Sequence, residues 1–316
     1  MRKSLGFMTA ILLFVVVSIS FADEAKPQKN FLWKVTSDST TVYLLGSIHL
    51  CKPELYPLDK AITKAYENAE FVVVEADKSP EKVAEIQMFA MQKAMYQDGT
   101  TLKDHLSEET YKKLKEHFEK RGISIDMMAQ FKPALVAAQL AQVELMVLGF
   151  QPGAGIDEHF ITLANKDKKP LKELESLKFQ IELFSSLDDK IQEQSLIKEL
   201  NETADLKVYM ANLMKAWSFG DAKTMEQIIF EPLKTNPEMK SLYEKFFTER
   251  NVTMTAKIEE YLKSGKTHLV IAGSGHFIGK KGILALLGNK KDKPYKIEQV
   301  ATLGRPVVEE IEEVLK

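Results

Sequence analysis

Only one cysteine, Cys51, occurs in the 316 residues, so no internal disulfide can form and no pair of Cys-x-x-Cys ligands exists for a structural zinc. His-Glu-x-x-His and Gly-x-Ser-x-Gly are also absent, which removes the helical zinc-protease motif and the serine-hydrolase elbow. No excess of charge of one sign stands out, with 43 Lys and Arg against 45 Asp and Glu. A nucleic-acid partner needs a basic face, so nucleic acid is not expected. No stretch rich in Gly, Ser or Pro divides the chain, and residues 23–316 read as one domain. Oligomeric state leaves no mark in the sequence.

The first residues do hold a long apolar run. Arg2 and Lys3 precede an apolar core from Leu5 to Ile19, and Ser20-Phe21-Ala22 places small residues at the two positions that a signal peptidase reads. This predicts a signal peptide over 1–22 with cleavage before Asp23. The competing reading is an uncleaved anchor, because the run is only slightly short of a membrane span. No cysteine follows the run, which excludes a lipoprotein anchor. The cleaved chain is expected to be exported, periplasmic or secreted, and free of the membrane.

A short motif occurs twice, as Leu45-Gly46-Ser47-Ile48-His49 and as Ala272-Gly273-Ser274-Gly275-His276. Each copy follows a run suited to a buried strand, Val42 to Leu45 and Leu269 to Ala272. Glycine after such a strand permits a tight exit, so Gly46, Gly273 and Gly275 read as turn residues. If the two strands are neighbours in one sheet, His49 and His276 meet at its carboxyl edge. A third apolar run, Phe71 to Val74, ends in Glu75-Ala76-Asp77 and is joined to the first by a helix over Leu58 to Ala69, which suggests a parallel pair and places Glu75 at the same edge.

The remaining pattern is mostly helical. Phe31 to Thr36 and Thr41 to Leu45 read as a hairpin around Ser37 to Thr40. Helices are expected over Glu81 to Tyr96, Glu108 to Arg121 (stopped by Gly122) and Pro133 to Leu148 (closed by Gly149), then from Ile156, and over Glu249 to Leu262 with Gly265 as the stop. Pro133 to Leu148 carries Gln139, Gln142 and Glu144 and reads as a core helix rather than a membrane span. Met88, Met91 and Met95 form a stripe that reads as packing. His105 and His117 lie in Lys/Glu-rich segments and read as solvated. Asp157 and Glu158 suit the first turn of a helix. Phe179 to Phe247 reads as helix with no strong breaker before Pro232 and Pro237, Pro170 to Glu175 as a short strand, and the C-terminus as a strand over Tyr295 to Val300 and a helix over Val307 to Leu315. Asn201-Glu202-Thr203 and Asn251-Val252-Thr253 match a glycosylation acceptor, a triplet too frequent to carry weight.

Two imidazoles and a carboxylate are a plausible ligand set for a divalent transition metal such as zinc, manganese or cobalt. His49, Glu75 and His276 would hold it and leave a position for water, the usual route to hydrolysis without a protein nucleophile. Asp77 or Glu175 would serve as general base, and Arg250 would stabilise developing negative charge. Cys51 lies two residues from His49 and is a candidate soft ligand, although a packed thiol is the simpler reading. The Gly273 to Gly282 loop invites comparison with a phosphate-binding loop, but it has five residues between Gly273 and Gly279 and no Ser or Thr after Lys280.

The segments Gly46-Ser47-Ile48-His49, Val73-Val74-Glu75, Gly155-Ile156-Asp157, Leu174-Glu175, Glu249-Arg250-Asn251 and Gly273-Ser274-Gly275-His276, followed by Gly282 to Leu287, resemble the TraB/PrgY/GumN family. That family includes the metal-dependent Tiki proteases and is similar to the group containing erythromycin esterase and the haem-binding lipoprotein ChaN. The resemblance implies an α/β domain whose mixed central sheet comes from both ends of the chain around a mostly helical insertion at about 80–262. It also implies His49, Glu75 and His276 as metal or catalytic residues, with Arg250 and Glu175 near them. Cys51 lies outside the motif.

The expected function is therefore an exported, metal-dependent, peptidase-like hydrolase. The alternative is a non-catalytic binding protein for a peptide, haem or another small ligand on the same scaffold, and a third possibility is a purely structural role.

Overall fold

The computed structural model describes residues 28–202, 206–235, 240, 243–290 and 294–304. The signal peptide expected over 1–22, Thr203 of the first acceptor triplet, and the helix expected over Val307 to Leu315 lie outside them.

Six strands form one mixed sheet: β1 (Lys29–Thr36), β2 (Thr41–Ser47), β3 (Phe71–Val74), β4 (Leu171–Glu173), β5 (His268–Gly273) and β6 (Lys296–Ala301), in the order β4-β3-β5-β2-β1-β6. β1 pairs antiparallel with β2 and β6, while β5 runs parallel to both β2 and β3, and β3 runs parallel to β4. The central strands are buried on both faces, which explains their near-continuous Val, Ile and Leu. β2 and β3 share a direction as expected but are not neighbours. β5 stands between them and pairs with both, which satisfies its buried backbone groups on each edge.

Twelve α-helices and one π-helical turn accompany the sheet among the described residues. α1 (Lys60–Asn68) joins β2 to β3, and its first turn is capped by the buried Asp59, which accepts from Ala61 N at 2.8 Å. The insertion holds α2 (Pro80–Ala94), α3 (Glu108–Glu119), α4 (Pro133–Val147), α5 (Ile156–Asp167), α6 (Leu177–Ser185), α7 (Asp189–Glu202), α8 (Leu206–Ser218) and α9 (Ala222–Thr235). A π-helical turn (Glu244–Thr248) runs into α10 (Glu249–Lys263), and after β5 come the one-turn α11 (Ser274–Phe277) and α12 (Ile283–Gly288). Gly122, Gly149 and Gly265 follow α3, α4 and α10 with positive φ, the conformation that glycine adopts most readily at a helix end.

The insertion is less uniform than its sequence pattern. Leu102, Leu114, Phe118, Val136, Leu140 and Leu196 make a separate apolar cluster among α3, α4 and α7. The chain then returns to the sheet, where α5 packs on β3 and β4 adds an edge strand. The expected run of helix over Phe179 to Phe247 is divided well before its prolines. Asp188 ends the first break by accepting from Ile191 N, and Pro232 falls within α9 instead of stopping it.

Two readings of surface and core are corrected. Met88 is 82 % exposed, and no residue of α2 is buried, because α2 packs mainly on α6 at the outside of the molecule. His105 is not solvated. Its ring stacks on Tyr96 at 4.0 Å and bonds Asp189 at 2.7 Å and Thr100 at 2.7 Å. His117 is likewise largely buried, with Nε2 3.3 Å from Glu144.

Candidate functional site

Strand register brings the two copies of the motif together. Gly46 pairs with Ala272 and Ser47 with Gly273, so both copies leave the sheet side by side at the carboxyl edge. None of the three glycines has a positive φ, so turn conformation does not require them; Gly46 and Gly275 are there for lack of room. A Cβ on Gly46 would overlap the Phe31 ring and lie 2.9 Å from Ser274 Oγ, and one on Gly275 would lie 2.7 Å from the Phe247 ring. Trp217 on α8 fixes the same exit by donating its Nε1–H to Gly46 O at 2.7 Å.

Gly273 marks the centre of the site. A Cβ there would stand 3.4 Å from Glu75 Oε2, 3.5 Å from His49 Nε2 and 3.6 Å from His276 Cδ2. The three side chains named from the sequence thus surround one point, and His276 Nε2 lies 3.7 Å from Glu75 Oε1.

Each imidazole is held by its other nitrogen. His49 Nδ1 bonds Asp157 Oδ2 at 2.7 Å, and Asp157 sits in the first turn of α5. His276 Nδ1 bonds Asn251 Oδ1 at 2.6 Å. The Asn251 amide is oriented by its own donation to Lys281 O at 2.9 Å, so its oxygen faces His276 and the proton belongs on Nδ1. His49 is half open to the cavity, and Asp157 raises it to about 9 against the opposing effect of burial. Burial lowers His276 to about 4, so it is neutral at pH 7 with a free lone pair on Nε2.

Behind the imidazoles lies an ionic cluster. Burial alone would raise the Glu75 carboxyl, but the charges of His49 and Arg250 and the Gly273 N–H (2.8 Å) hold it well below the usual carboxylate range. Arg250 on α10 grips Glu175 with Nε at 3.0 Å from both oxygens and Nη2 at 2.7 Å, and reaches Glu75 Oε1 at 2.5 Å. Gln180 on α6 donates to Glu75 Oε1 at 2.9 Å.

The cluster opens into a cavity of 690 Å³. Ala134, Ala137, Ala138 and Ala141 of α4 line one wall, facing Phe184, Tyr243, Phe246 and Phe247. Lys78 also lines it, 3.9 Å from Glu158.

His49, Glu75, Asp157, Arg250 and His276 are all brought to this cavity, but Glu175 and Asp77 do not line it. Glu175 is enclosed by Arg250, and Asp77 accepts from Ser79 N at 2.9 Å, a local turn before α2. Arg250 is mostly committed to carboxylates and to Phe246 O, so it is first of all the counterion of Glu75 and Glu175. Asn251 and Gln180 escaped the sequence reading. Asn251 lay in the quoted Glu249-Arg250-Asn251 segment, but it drew notice only as a glycosylation acceptor, a role that its 1 % exposure denies it.

Cys51 is fully buried, donates to Ile48 O at 3.4 Å, and does not line the cavity. Burial pushes its thiol up to about 12. Native protein at pH 8 is expected to react with DTNB roughly a thousandfold more slowly than the unfolded chain, because the thiolate is the reacting species. Rates within tenfold of each other would show the thiol to be accessible.

Among the described residues no group of three or more His, Cys, Asp or Glu side chains is placed to hold a metal ion. No helix among them is long and apolar enough to cross a membrane. The TraB/PrgY/gumN family matches residues 31–299. The uncharacterized protein YbaP of Escherichia coli (strain K12) is 25% identical over 245 residues, covering 78% of this chain and 87% of YbaP, and YbaP of Shigella flexneri matches to the same extent. No solved structure matches.

Proposed function

The chain belongs to the TraB/PrgY/gumN family, and from that membership together with the geometry of its site we propose that it is an exported, metal-dependent hydrolase acting on a peptide. The observation that carries the reading is the treatment of the two histidines. Both have Nδ1 anchored, by Asp157 and by Asn251, and both turn Nε2 toward Glu75 around the open space at Gly273. Carboxylate or amide support behind an imidazole is the usual arrangement behind metal-ligating histidines.

In donor type, two imidazoles and a carboxylate suit a divalent ion, although the three are not placed to hold one without moving closer together. Glu75 Oε1 already accepts from Arg250 and Gln180, but Oε2 accepts only from Gly273 N and keeps one lone pair. His49, held protonated at pH 7 by Asp157, would have to give up its proton to a metal; with both imidazoles then neutral, Glu75, Glu175 and Asp157 outnumber the Arg250 charge by two. His49, Glu75 and His276 would hold zinc, manganese or cobalt, which would supply Lewis-acid polarisation and a water of lowered pKa. Asp157 and Asn251 fix the tautomers, Arg250 and Gly273 N fix the carboxylate, and the apolar wall seats a substrate side chain and excludes water. The base role expected of Asp77 or Glu175 is not carried over, since neither lines the cavity.

The same wall also suits the second reading, a binder without turnover. Elemental mass spectrometry of the purified protein distinguishes them. Near-stoichiometric metal is expected, lost in both His49→Ala and His276→Ala while circular dichroism stays native. Cleavage of a quenched fluorescent peptide mixture should stop with chelator and return with zinc, manganese or cobalt. Protein that is metal-free and cannot be reloaded would overturn the hydrolase and favour the binder.

A further inference from the structure

Ser47 closes β2 in register with Gly273 on the parallel β5. Residues in register on neighbouring strands project from the same face of the sheet. The direction of a Cβ at Gly273 leads to Glu75 Oε2 and His49 Nε2, so the Ser47 side chain projects toward that cluster, and the residue lines the same cavity. Ser47 is only 3 % exposed, yet its Oγ has no hydrogen-bond partner among the described residues. The adjacent Ser274 is different, since its hydroxyl donates to Ser47 O at 2.9 Å.

A buried hydroxyl without a partner is unfavourable, and in a native structure it calls for an occupant that would satisfy it. Arg250, the residue expected to meet developing negative charge, spends nearly all its donors on Glu75, Glu175 and Phe246 O. Ser47 offers an uncommitted donor on the cavity side. We infer that Ser47 is a substrate-contact residue of this site, its hydroxyl donating to the carbonyl or oxyanion oxygen of an acyl compound bound in the cavity beside His49 and His276. This rests on the hydrolase reading and names a donor for it.

The test sets stability against function in the full chain. Ser47→Ala deletes an unpaired hydroxyl, so its urea midpoint should equal or exceed that of the parent. On the peptide mixture kcat should fall about 100-fold with KM little changed, the usual effect of removing one oxyanion donor. Inorganic phosphate, a tetrahedral oxyanion titrated by ³¹P NMR, should bind the variant about tenfold more weakly. A clearly lower midpoint would mean that the hydroxyl is paired within the protein and would overturn the assignment, as would unchanged kcat and phosphate affinity. A parent that cleaves nothing but loses phosphate affinity on Ser47→Ala keeps Ser47 as a contact and removes the hydrolase. A parent that neither cleaves nor binds phosphate overturns both.

Discussion

Replacing Arg250 with alanine is expected to destabilise the fold by about 3–5 kcal/mol, the usual consequence of leaving buried charge uncompensated. Glu75 and Glu175 are each 7 % exposed and share this one guanidinium. Arg250→Lys should recover little, since an ammonium cannot reproduce the fork that spans both oxygens of Glu175 while reaching Glu75. The deficit also has a definite pH dependence. In the parent, Glu75 titrates far below its unfolded value, so its contribution is fully present above about pH 4.3 and is lost only as the pH falls from there toward the much lower folded value. The variant should therefore trail the parent most at neutral pH and approach it in strong acid. Urea titrations at about pH 7 and about pH 2.5 measure this, and equal gaps at both would show that the loss comes from packing rather than charge.

Gly155→Ala is expected to be nearly as damaging, by about 3 kcal/mol, through overpacking alone. Gly155 has φ −60, which alanine adopts freely, so backbone strain plays no part. The added methyl would overlap the carbonyl oxygen of His49 and come 2.9 Å from Glu158 Oε2. A main-chain atom cannot rotate out of the way, so the His49 loop or the start of α5 must shift. Ile156 N donates to Ile48 O at 3.1 Å and Asp157 holds the His49 ring, so either shift separates the imidazole from its support. Thermal unfolding should show the lost stability, and metal content should fall with it. A variant as stable as the parent would mean that the two segments slide apart more easily than their contacts suggest.

The strands and the meeting of His49, Glu75 and His276 were legible because both signals are local. Buried strands announce themselves as short Val and Ile runs, and the two Gly-x-x-His copies fix what leaves their ends. Partners were legible only as far as sequence distance allowed. Asn251 bonds His276 across 25 residues and Asp157 bonds His49 across 108, and nothing near either histidine marks the residue that holds it. Gln180 is one of several polar residues spaced among the apolar ones of α6, and nothing marks it until folding sets it against Glu75. Glu175 was legible as an acid at a strand end but not as an enclosed one, because what encloses it is Arg250, 75 residues on. The methionine stripe of α2 misled for the opposite reason, since helical spacing of apolar residues does not say whether a neighbour will cover them.

The placement of β5 has a consequence for how the chain comes into being. The strand at the middle of the sheet is nearly the last to be synthesised, and β2 and β3, made early, are joined only through it. Folding must wait for contacts that span some 200 residues of chain, which is the slow regime for a sheet protein. A nascent or truncated chain ending before His268 has neither His276 nor the strand that brings Glu75 beside His49. The site is therefore an all-or-none product of the completed fold, and a ligand that binds it reports on the integrity of the entire sheet.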